Sequence, residues 1–279
     1  MNSSIKDASH PSIVYYDGDY PSRDQTEYPE NFDEVVIHQG IADDVDKYIQ
    51  LTAQYGKKVL ELCCGTGRIS IPLVNQDCVV TAVDASAAIL KQFRKKVNSI
   101  PPPKSENLSI VKQDVTQLSL DTRDFDIVIC GFNSLLCIAD FNLQLQTLRN
   151  AADHLRPHGL LALDIWNPLA VNLYGDIKPE PFFTRKNPHN GNTYTRFAAT
   201  GPMTINQVQS VYGWYDEFKK DGTVTRQSYH MEWRLIFRYE IQMMLEKAGF
   251  TLKAIYGGNH NEPLTSDSLK MFIEAEKVQ

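Results

Sequence analysis

The sequence predicts an α/β fold with a doubly wound, mostly parallel sheet of seven strands, interrupted by an antiparallel β insertion. Between residues 57 and 166, short apolar segments alternate with segments of helical periodicity. Such alternation is typical of βαβ units, which build parallel sheets. From about residue 167 to residue 236, β-rich runs replace the helical pattern, and one helix and two strands follow.

The elements of the first part can be assigned in order. A helix at 41–55 has apolar side chains at helical spacing, acidic residues near its start and Gly56 after its end. The run FDIVICGF at 125–132 is almost unbroken in apolar character, as in strands covered on both faces. The other strands are expected within 57–62, 79–85, 108–115 and 159–166, and the other helices within 68–76, 86–100 and 140–156.

The chain is predicted to have four parts. Residues 1–34 form an N-terminal arm, 35–166 an α/β core, 167–236 the antiparallel insertion and 237–279 the C-terminal part of the core. Tyrosines in the arm indicate that it packs against another part of the protein. Within the insertion, the KKDG sequence at 219–222 is typical of a hairpin turn.

Composition narrows the classes of function. The chain has 34 acidic and 28 basic residues and a formal charge of −6, which disfavours a nucleic-acid partner. No apolar run approaches the roughly 20 residues that span a membrane, and the N-terminus lacks an apolar signal core. We therefore expect no membrane partner and a cytoplasmic location. The five cysteines include no CxxC pair and are expected to be reduced core thiols.

The segment VLELCCGTGR at 59–68 predicts a ligand-binding loop between a strand and a helix. Gly65 and Gly67 let the backbone approach a ligand closely. A dinucleotide-binding loop would have a third glycine where this chain has Ser70, so that match is incomplete. Glu61 would repel the phosphates of a dinucleotide but would attract a cationic ligand.

Two further acids follow the next two strands. Asp84 ends the second strand, where a carboxylate can accept hydrogen bonds from ribose hydroxyls, and Asp114 ends the third, near where an adenine edge would lie. The carboxyl ends of the strands form the ligand edge of an open α/β sheet. A ligand with a ribose, an adenine and a positive charge fits all three acids, and S-adenosylmethionine has these features.

The pattern Glu61-x-x-x-Gly65-x-Gly67, followed by Asp84 in VDAS and Asp114 in KQDV, resembles the class I S-adenosylmethionine-dependent methyltransferases. The resemblance covers about residues 35–166 and 236–279. It is strongest to small-molecule enzymes such as the amino-sugar and glycine N-methyltransferases. The C-terminal segment is similar to the family's last helix and two closing strands, and the family's final strand runs antiparallel.

The resemblance implies roles for the first two strand ends. Gly65 and Gly67 would approach the methionine portion and the sugar of the cofactor, and Glu61 would lie near its amino group. Asp84 would hold the ribose, with Ala85 against the adenine.

It implies further roles at the third and fourth strand ends. Asp114 and Val115 would contact the adenine. Cys130 and Phe132, which flank Gly131, would lie beside the sulfonium.

The same resemblance implies methyl transfer by in-line displacement. The methyl group of a sulfonium is already activated, so the enzyme mainly has to position the acceptor and exclude water. A magnesium site like that of catechol-type enzymes would use Asp164 and Asn167 but lacks an acidic ligand at Cys130 or Gly131. We therefore expect no metal, a small-molecule acceptor, and nitrogen slightly favoured over oxygen.

The insertion leaves the sheet at its ligand edge and is expected to cover the active site or to form a dimer interface. Pockets for small molecules are mainly apolar and aromatic, and aromatic rings can also stabilise a cation. The candidate substrate contacts, from the strand ends and the insertion, are Asn133, Trp166, Asn167, Tyr212 and Trp214.

Two histidines are the candidate general bases, should the acceptor have to lose a proton. Histidine is the side chain that titrates near neutral pH without perturbation. His38 lies before the first predicted core helix and His230 lies in the insertion.

Three alternatives to a small-molecule methyltransferase stay open on the sequence. The first is a scaffold protein that binds the cofactor without catalysis. The second is a methyltransferase with a macromolecular acceptor, and the third is a nicotinamide-dependent dehydrogenase.

Overall fold

A computed structural model of the protein describes residues 10–20, 41–98, 100, 102, 104–176 and 178–278. A seven-stranded sheet forms its centre, with the strand order β10-β11-β5-β4-β1-β2-β3. The strands are β1 (Lys58–Leu62), β2 (Val79–Asp84), β3 (Leu108–Lys112), β4 (Phe125–Cys130), β5 (Leu155–Trp166), β10 (Phe250–Tyr256) and β11 (Lys270–Lys277).

Helices cover both faces of this sheet. None of those in the described ranges is long and apolar enough to cross a membrane. The helices on the two faces of the sheet are α3 (Ile41–Tyr55), α4 (Ser70–Asn75), α5 (Ala87–Val97), α6 (Phe141–His154) and α7 (Arg238–Lys247). Two short helices, α1 (Pro11–Val14) and α2 (Tyr16–Asp19), precede them in the chain.

The strand directions confirm the predicted fold class. Strands β1 to β5 pair in parallel with their neighbours, whereas β11 pairs antiparallel with both β5 and β10. Strand order reverses at β1, which lies between β2 and β4. A ligand crevice is expected outside the carboxyl ends of the strands at such a reversal.

The side chains of β4 point alternately to the two faces of the sheet, and both faces are apolar and covered by helices. Ile127, Val128 and Ile129 are all fully buried. Val128 packs in the apolar layer that also contains residues of α6 and α7, whereas Ile127 and Ile129 pack in the layer with α3, α4 and α5. Successive side chains of a strand point to opposite faces, so both layers depend on this strand.

The insertion forms a separate antiparallel sheet. Its four strands are joined in sequence order, and the turn predicted at 219–222 connects the last two, with the Lys219 amide donating to the Thr223 carbonyl at 2.8 Å. The strands are β6 (Glu180–Lys186), β7 (Thr193–Thr200), β8 (Val208–Phe218) and β9 (Val224–Arg234). The structure thus contains this second sheet between Trp166 and Arg238.

The described part of the N-terminal arm, residues 10–20, packs against the second sheet. Tyr15 is 1% exposed, and its ring stacks on Tyr215 with a centroid distance of 4.3 Å. Its hydroxyl donates to the Glu217 carboxylate at 2.8 Å. The predicted boundary between residues 34 and 35 lies outside the described residues.

Candidate active site

A cavity of about 430 Å³ lies between the carboxyl ends of β1, β2 and β4 and one face of the second sheet. Residues 10–20 form a further side, with His10, Tyr16, Asp19 and Tyr20 in the wall. The volume lies within the range of small-molecule sites. The wall on the first sheet includes Cys63, Gly65, Asp84, Ser86, Phe132 and Asn133, and the wall on the second sheet includes Arg196, Val211, Tyr215, Tyr229, Met231 and Trp233.

The glycine loop after β1 is closely packed on both sides. Gly65 and Gly67 have φ angles of +58° and +86°, in the region that favours glycine. A Cβ atom at Gly65 would collide with the hydroxyl of Tyr16, and one at Gly67 would collide with the ring of Phe93. Gly65 therefore belongs to the cavity wall, whereas Gly67 lets the loop pack on α5.

Asp84 is placed to hold a polar ligand. Its Oδ2 accepts from the Gly65 amide at 3.1 Å and its Oδ1 accepts from the Ser86 amide at 2.8 Å. Burial raises the pKa of this carboxyl, while the two amides act in the opposite direction. Each oxygen keeps acceptor capacity beyond these bonds, and Asp84 lines the cavity. The two acceptor oxygens thus fit the adjacent hydroxyls of a ribose, which would donate to them.

Glu61 lies behind the loop. It is 3% exposed, accepts a hydrogen bond from the Ser70 hydroxyl and lies outside the cavity wall. Burial raises its pKa to about 8, although Ser70 and Arg68 act in the opposite direction. At neutral pH the carboxyl is therefore mostly protonated, and a cationic ligand in the loop would favour its ionised form.

The raised pKa of Glu61 predicts a pH-dependent stability. A glutamate with a folded pKa of about 8 and an unfolded pKa near 4.5 stabilises the protein at low pH, and this contribution is lost as pH rises towards 8. Glu61→Gln should remove this loss. Between pH 5 and pH 9, the free energy of unfolding of the variant should therefore rise by about 4 kcal/mol relative to that of wild type. Urea unfolding at both values measures this, with the exposed Glu246→Gln as control. Equal pH dependence of wild type and Glu61→Gln would contradict it.

Three predicted adenine contacts lie outside the cavity wall. The Asp114 carboxylate accepts from the amide and the hydroxyl of Thr116, at 3.0 and 2.8 Å. Val115 is 2% exposed and Ala85 is 8% exposed. These three residues lie at or just after the ends of β2 and β3, and of this group only their neighbour Asp84 lines the cavity.

The end of β4 has an unusual backbone. Phe132 and Asn133 both adopt positive φ angles, +51° and +61°. Such conformations cost of order 1 kcal/mol each and concentrate at functional sites. Asn133 Oδ1 accepts from the Trp166 amide at 2.6 Å, which ties the ends of β4 and β5 together. All three residues line the cavity, whereas Cys130 is buried beneath them.

The cysteines are free thiols, as expected, but two of them are not simply core residues. Cys63 and Cys137 are half-buried and line the cavity. A hydrogen bond with the Cys130 thiol, together with burial, holds the pKa of Cys63 well above its usual value. Burial raises the pKa of Cys137 to about 12. These thiols are thus neutral near pH 7, which makes them poor nucleophiles.

The three candidates in the second sheet lie on the face away from the cavity. The register pairs Tyr212 with His230, and their rings lie 4.8 Å apart on the outer face. Trp214 stacks on Phe197, at 5.0 Å, on the same face. Neighbouring positions of opposite parity, such as Tyr215, point into the cavity instead. Tyr212, Trp214 and His230 are therefore not brought together with the other candidates.

The two remaining candidate site residues do not line the cavity: one lies apart from it, and the other lies outside the described residues. Asn167 is 5% exposed, and its side chain accepts from the Leu169 amide and donates to the Ser268 carbonyl. It shapes the turn after β5. His38 lies outside the described residues.

Asp164, the other acid considered as a metal ligand, is paired with a lysine. Its carboxylate accepts from Lys270 Nζ at 2.9 Å, and it is 2% exposed. Across the described ranges, no group of three or more His, Cys, Asp or Glu side chains is arranged to hold a metal ion.

Sequence reasoning missed the contribution of the segment YDGDY at 16–20. Asp19 is 1% exposed and accepts from the hydroxyls of Tyr194 and Tyr215 at 2.8 and 2.5 Å and from Arg196 Nη1 at 3.1 Å. Alternating tyrosines and aspartates in an otherwise polar arm are the signal that indicates a buried, functional segment.

The same segment is also bound to the glycine loop. The Asp17 carboxylate accepts from Thr66 Oγ1 and from Lys96 Nζ, both at 2.6 Å. Asp17 therefore fixes one end of α2 to the first sheet, while Asp19 fixes the other end to the second sheet. Residues 16–20 thus bridge the two walls of the cavity.

Comparisons with known proteins agree with this geometry. Residues 59–159 match the family model described as a methyltransferase domain. The chain is 24% identical over 250 residues to the putative methyltransferase YqeM of Bacillus subtilis, covering 88% of this chain and 94% of that protein.

Two solved structures share the fold over nearly the whole chain. The CcbJ methyltransferase from Streptomyces caelestis has a TM-score of 0.74 and 19% identity, covering 90% of this chain and 100% of that one. The sugar N-methyltransferase KedS8 from a Streptoalloteichus species has a TM-score of 0.67 and 19% identity, covering 91% and 95%. Residues 59–159 thus match a methyltransferase domain, and the chain, with its cavity at the Gly65 and Asp84 edge, is similar in fold to S-adenosylmethionine-dependent methyltransferases.

Proposed function

We propose that this protein transfers a methyl group from S-adenosylmethionine to a nitrogen of a small molecule, without a metal ion. The observation that carries this proposal is the cavity that joins the Gly65 and Asp84 edge of the first sheet to the inner face of the second sheet. Cofactor and acceptor can thus meet inside one roofed space.

The chain's own residues would act mainly by positioning. When bound, the cofactor supplies a methyl group on a sulfonium, which an acceptor can attack in line. Asp84 would hold the ribose, and the loop at Gly65 would hold the methionine portion. Phe132, held by its strained backbone at the end of β4, would fix the reacting end. Such placement alone can lower a barrier by several kcal/mol.

Nitrogen is favoured over oxygen as the methyl acceptor because the carboxylates of the cavity wall are already engaged in hydrogen bonds. A neutral amine carries the lone pair that attacks, whereas a hydroxyl has to lose its proton to a base. Asp19, Asp84 and Asp176 in the cavity wall already accept hydrogen bonds, and His10 of the same wall is hydrogen-bonded through Nδ1 to the Ser12 hydroxyl at 2.6 Å. The name of KedS8, a sugar N-methyltransferase, also supports a nitrogen acceptor.

A small acceptor is favoured over a macromolecular one. The second sheet and residues 10–20 cover the cavity, and Tyr15 anchors this cover by burial against Tyr215. A protein or nucleic-acid acceptor would instead need an open face beside the cofactor edge.

Methyl transfer from labelled S-adenosylmethionine to a panel of small amines and phenols tests this function. We expect methylated amines, together with calorimetric binding of the cofactor and its demethylated product. Turnover of phenols alone would overturn the nitrogen preference. Cofactor binding without turnover on the panel or on cell extract would favour a scaffold, and turnover only on extract macromolecules would favour a macromolecular acceptor. Binding of NAD alone would favour a dehydrogenase.

A further inference from the structure

One end of the cavity is lined by apolar side chains from both sheets. The five side chains of this apolar end are Trp166 at the end of β5, Val171 after it, and Val211, Met231 and Trp233 on the inner face of the second sheet. Val211 pairs with Met231 in the register of β8 and β9, and Trp233 follows Met231 on the same face. Trp233 packs against the apolar layers of both sheets, so it joins the two walls.

The order of the strands places the apolar end beside the reacting end of the cofactor. In the proposed function, Asp84 at the end of β2 and Gly65 after β1 hold the ribose and the methionine portion, and Phe132 after β4 lies at the sulfonium. Strand β5 follows β4 along the sheet, away from β1, and it ends at Trp166. The apolar end thus lies on the side from which an acceptor would approach the methyl group.

The polar groups at this end are bonded to the protein itself. The Ser134 hydroxyl donates to the backbone carbonyl three residues before it at 2.7 Å, and Asn133 Oδ1 accepts from the Trp166 amide at 2.6 Å. Trp233 Nε1 is sealed from the cavity and lies against the Cys137 thiol. Among the described residues, the NH₂ group of Asn133 is left without an acceptor. One such group is too little to pair the hydroxyls of a hydroxyl-rich ligand.

The mouth of the cavity is polar, in contrast to this end. Asp176 lines the cavity and is exposed, and its carboxylate accepts from the amide and the hydroxyl of Thr200 at 3.1 and 2.9 Å. A polar part of a ligand can stay hydrated at this mouth. A hydroxyl at the apolar end would lose its water without gaining a partner, which weakens binding.

We propose that the apolar end binds a hydrocarbon or aromatic group of the methyl acceptor, so that the substrate is an amine carried on an apolar ring or chain and not a hydroxyl-rich amine. This proposal rests on the proposed small-molecule N-methyltransferase function and specifies its substrate class. The apolar surroundings also suit the reaction. Burial disfavours the charged form of an amine, and only the neutral form carries the lone pair that attacks the methyl group.

The test measures kcat/KM for amines with alkyl, cycloalkyl or aryl bodies and for the same amines with one to three hydroxyl groups on the body. The hydroxyls lie at least three carbons from the nitrogen, so that each pair has nearly the same basicity. We expect kcat/KM to rise about threefold for each added CH₂ group, as burial of one methylene supplies, and to fall at least about fivefold for each hydroxyl. Calorimetry with S-adenosylhomocysteine bound should give the same order of affinity, with a heat-capacity change that becomes more negative for each CH₂ group.

Two variants of Met231 locate the effect. Met231→Gln places polar atoms at the apolar end at nearly the same size and should reduce the preference for the apolar amine of each pair at least about fivefold, whereas Met231→Leu should keep it. Ser228→Gln, exposed on the outer face of the same strand opposite Trp214, is the matched control and should keep the wild-type values. Cofactor affinity should be the same in all three variants, which also reports correct folding. An unchanged preference in Met231→Gln would contradict the placement of the apolar group.

The outcomes separate this proposal from the function on which it rests. Turnover of the hydroxylated amines equal to or above that of their apolar partners would overturn the proposal and leave the N-methyltransferase standing. The absence of turnover on every amine would count against the proposed function itself. The calorimetric series would then still decide whether the apolar end binds hydrocarbon groups.

Discussion

Replacing Asp19 with alanine is expected to lower the free energy of unfolding by about 3–5 kcal/mol and to abolish methyl transfer. The carboxylate is 1% exposed and accepts from Tyr194, Tyr215 and Arg196. Without it, the buried Arg196 guanidinium loses its counter-charge, and two buried hydroxyls lose their acceptor. Such uncompensated groups are among the most costly changes in a protein interior. Urea unfolding, followed by circular dichroism, measures the loss.

The matched control is Asp216→Ala in the same sheet. Asp216 pairs with Arg226 at 2.6 Å on the outer face, where the Arg226 side chain is 57% exposed. The Asp216 side chain is itself 12% exposed, but the cation that its removal leaves without a partner, Arg226, is solvated, so this variant should lose about 1 kcal/mol and keep its activity. Similar losses for the two variants would contradict the view that Asp19 anchors the N-terminal segment.

Replacing Asp84 with asparagine is expected to weaken binding of S-adenosylmethionine by about 100-fold or more. The carboxylate accepts from the amides of Gly65 and Ser86 at the same time, whereas an asparagine has one oxygen and a donating NH₂ group. The variant thus loses a charged acceptor for the ribose and places a donor against a backbone amide. Charge-assisted hydrogen bonds of this kind contribute about 1.5–3 kcal/mol each. Isothermal titration calorimetry with S-adenosylmethionine and S-adenosylhomocysteine gives the affinities directly.

Asp140→Asn controls for the loss of a carboxylate that accepts from a backbone amide. Asp140 caps α6 and accepts from the Leu143 amide at 2.9 Å, outside the cavity wall. Asparagine is also a good N-cap, so cofactor affinity should equal that of wild type. An Asp84→Asn variant that binds the cofactor as tightly as Asp140→Asn would show that Asp84 does not hold the ribose.

The strand ends of the first sheet were predictable because local sequence determines them. Apolar runs, the glycines at 65 and 67 and the acids that follow each strand fix which residues lie at the ligand edge. Finer placement depends on packing. Gly67 faces Phe93, and Glu61 turns back to Ser70, contacts that come from how α4 and α5 pack on the loop.

In the second sheet, the sequence pattern does not show which face of the strands lines the cavity. Its strands carry aromatic side chains on both faces, so a period of two does not identify the inner one. Tyr215 and Tyr229 line the cavity, while Tyr212 and Trp214 point away from it. The choice is made by long-range contacts such as that between Asp19 and Tyr215, which are 196 residues apart.

The central claim is that one cavity between the two sheets holds both the cofactor and the acceptor. A crystal structure of the protein with S-adenosylhomocysteine tests it most directly. We expect density for the ligand inside the cavity, with its ribose on Asp84 and the rest of the molecule extending towards Phe132 beneath the second sheet. Density for the ligand outside this cavity, with Asp84 making no contact to it, would contradict the account.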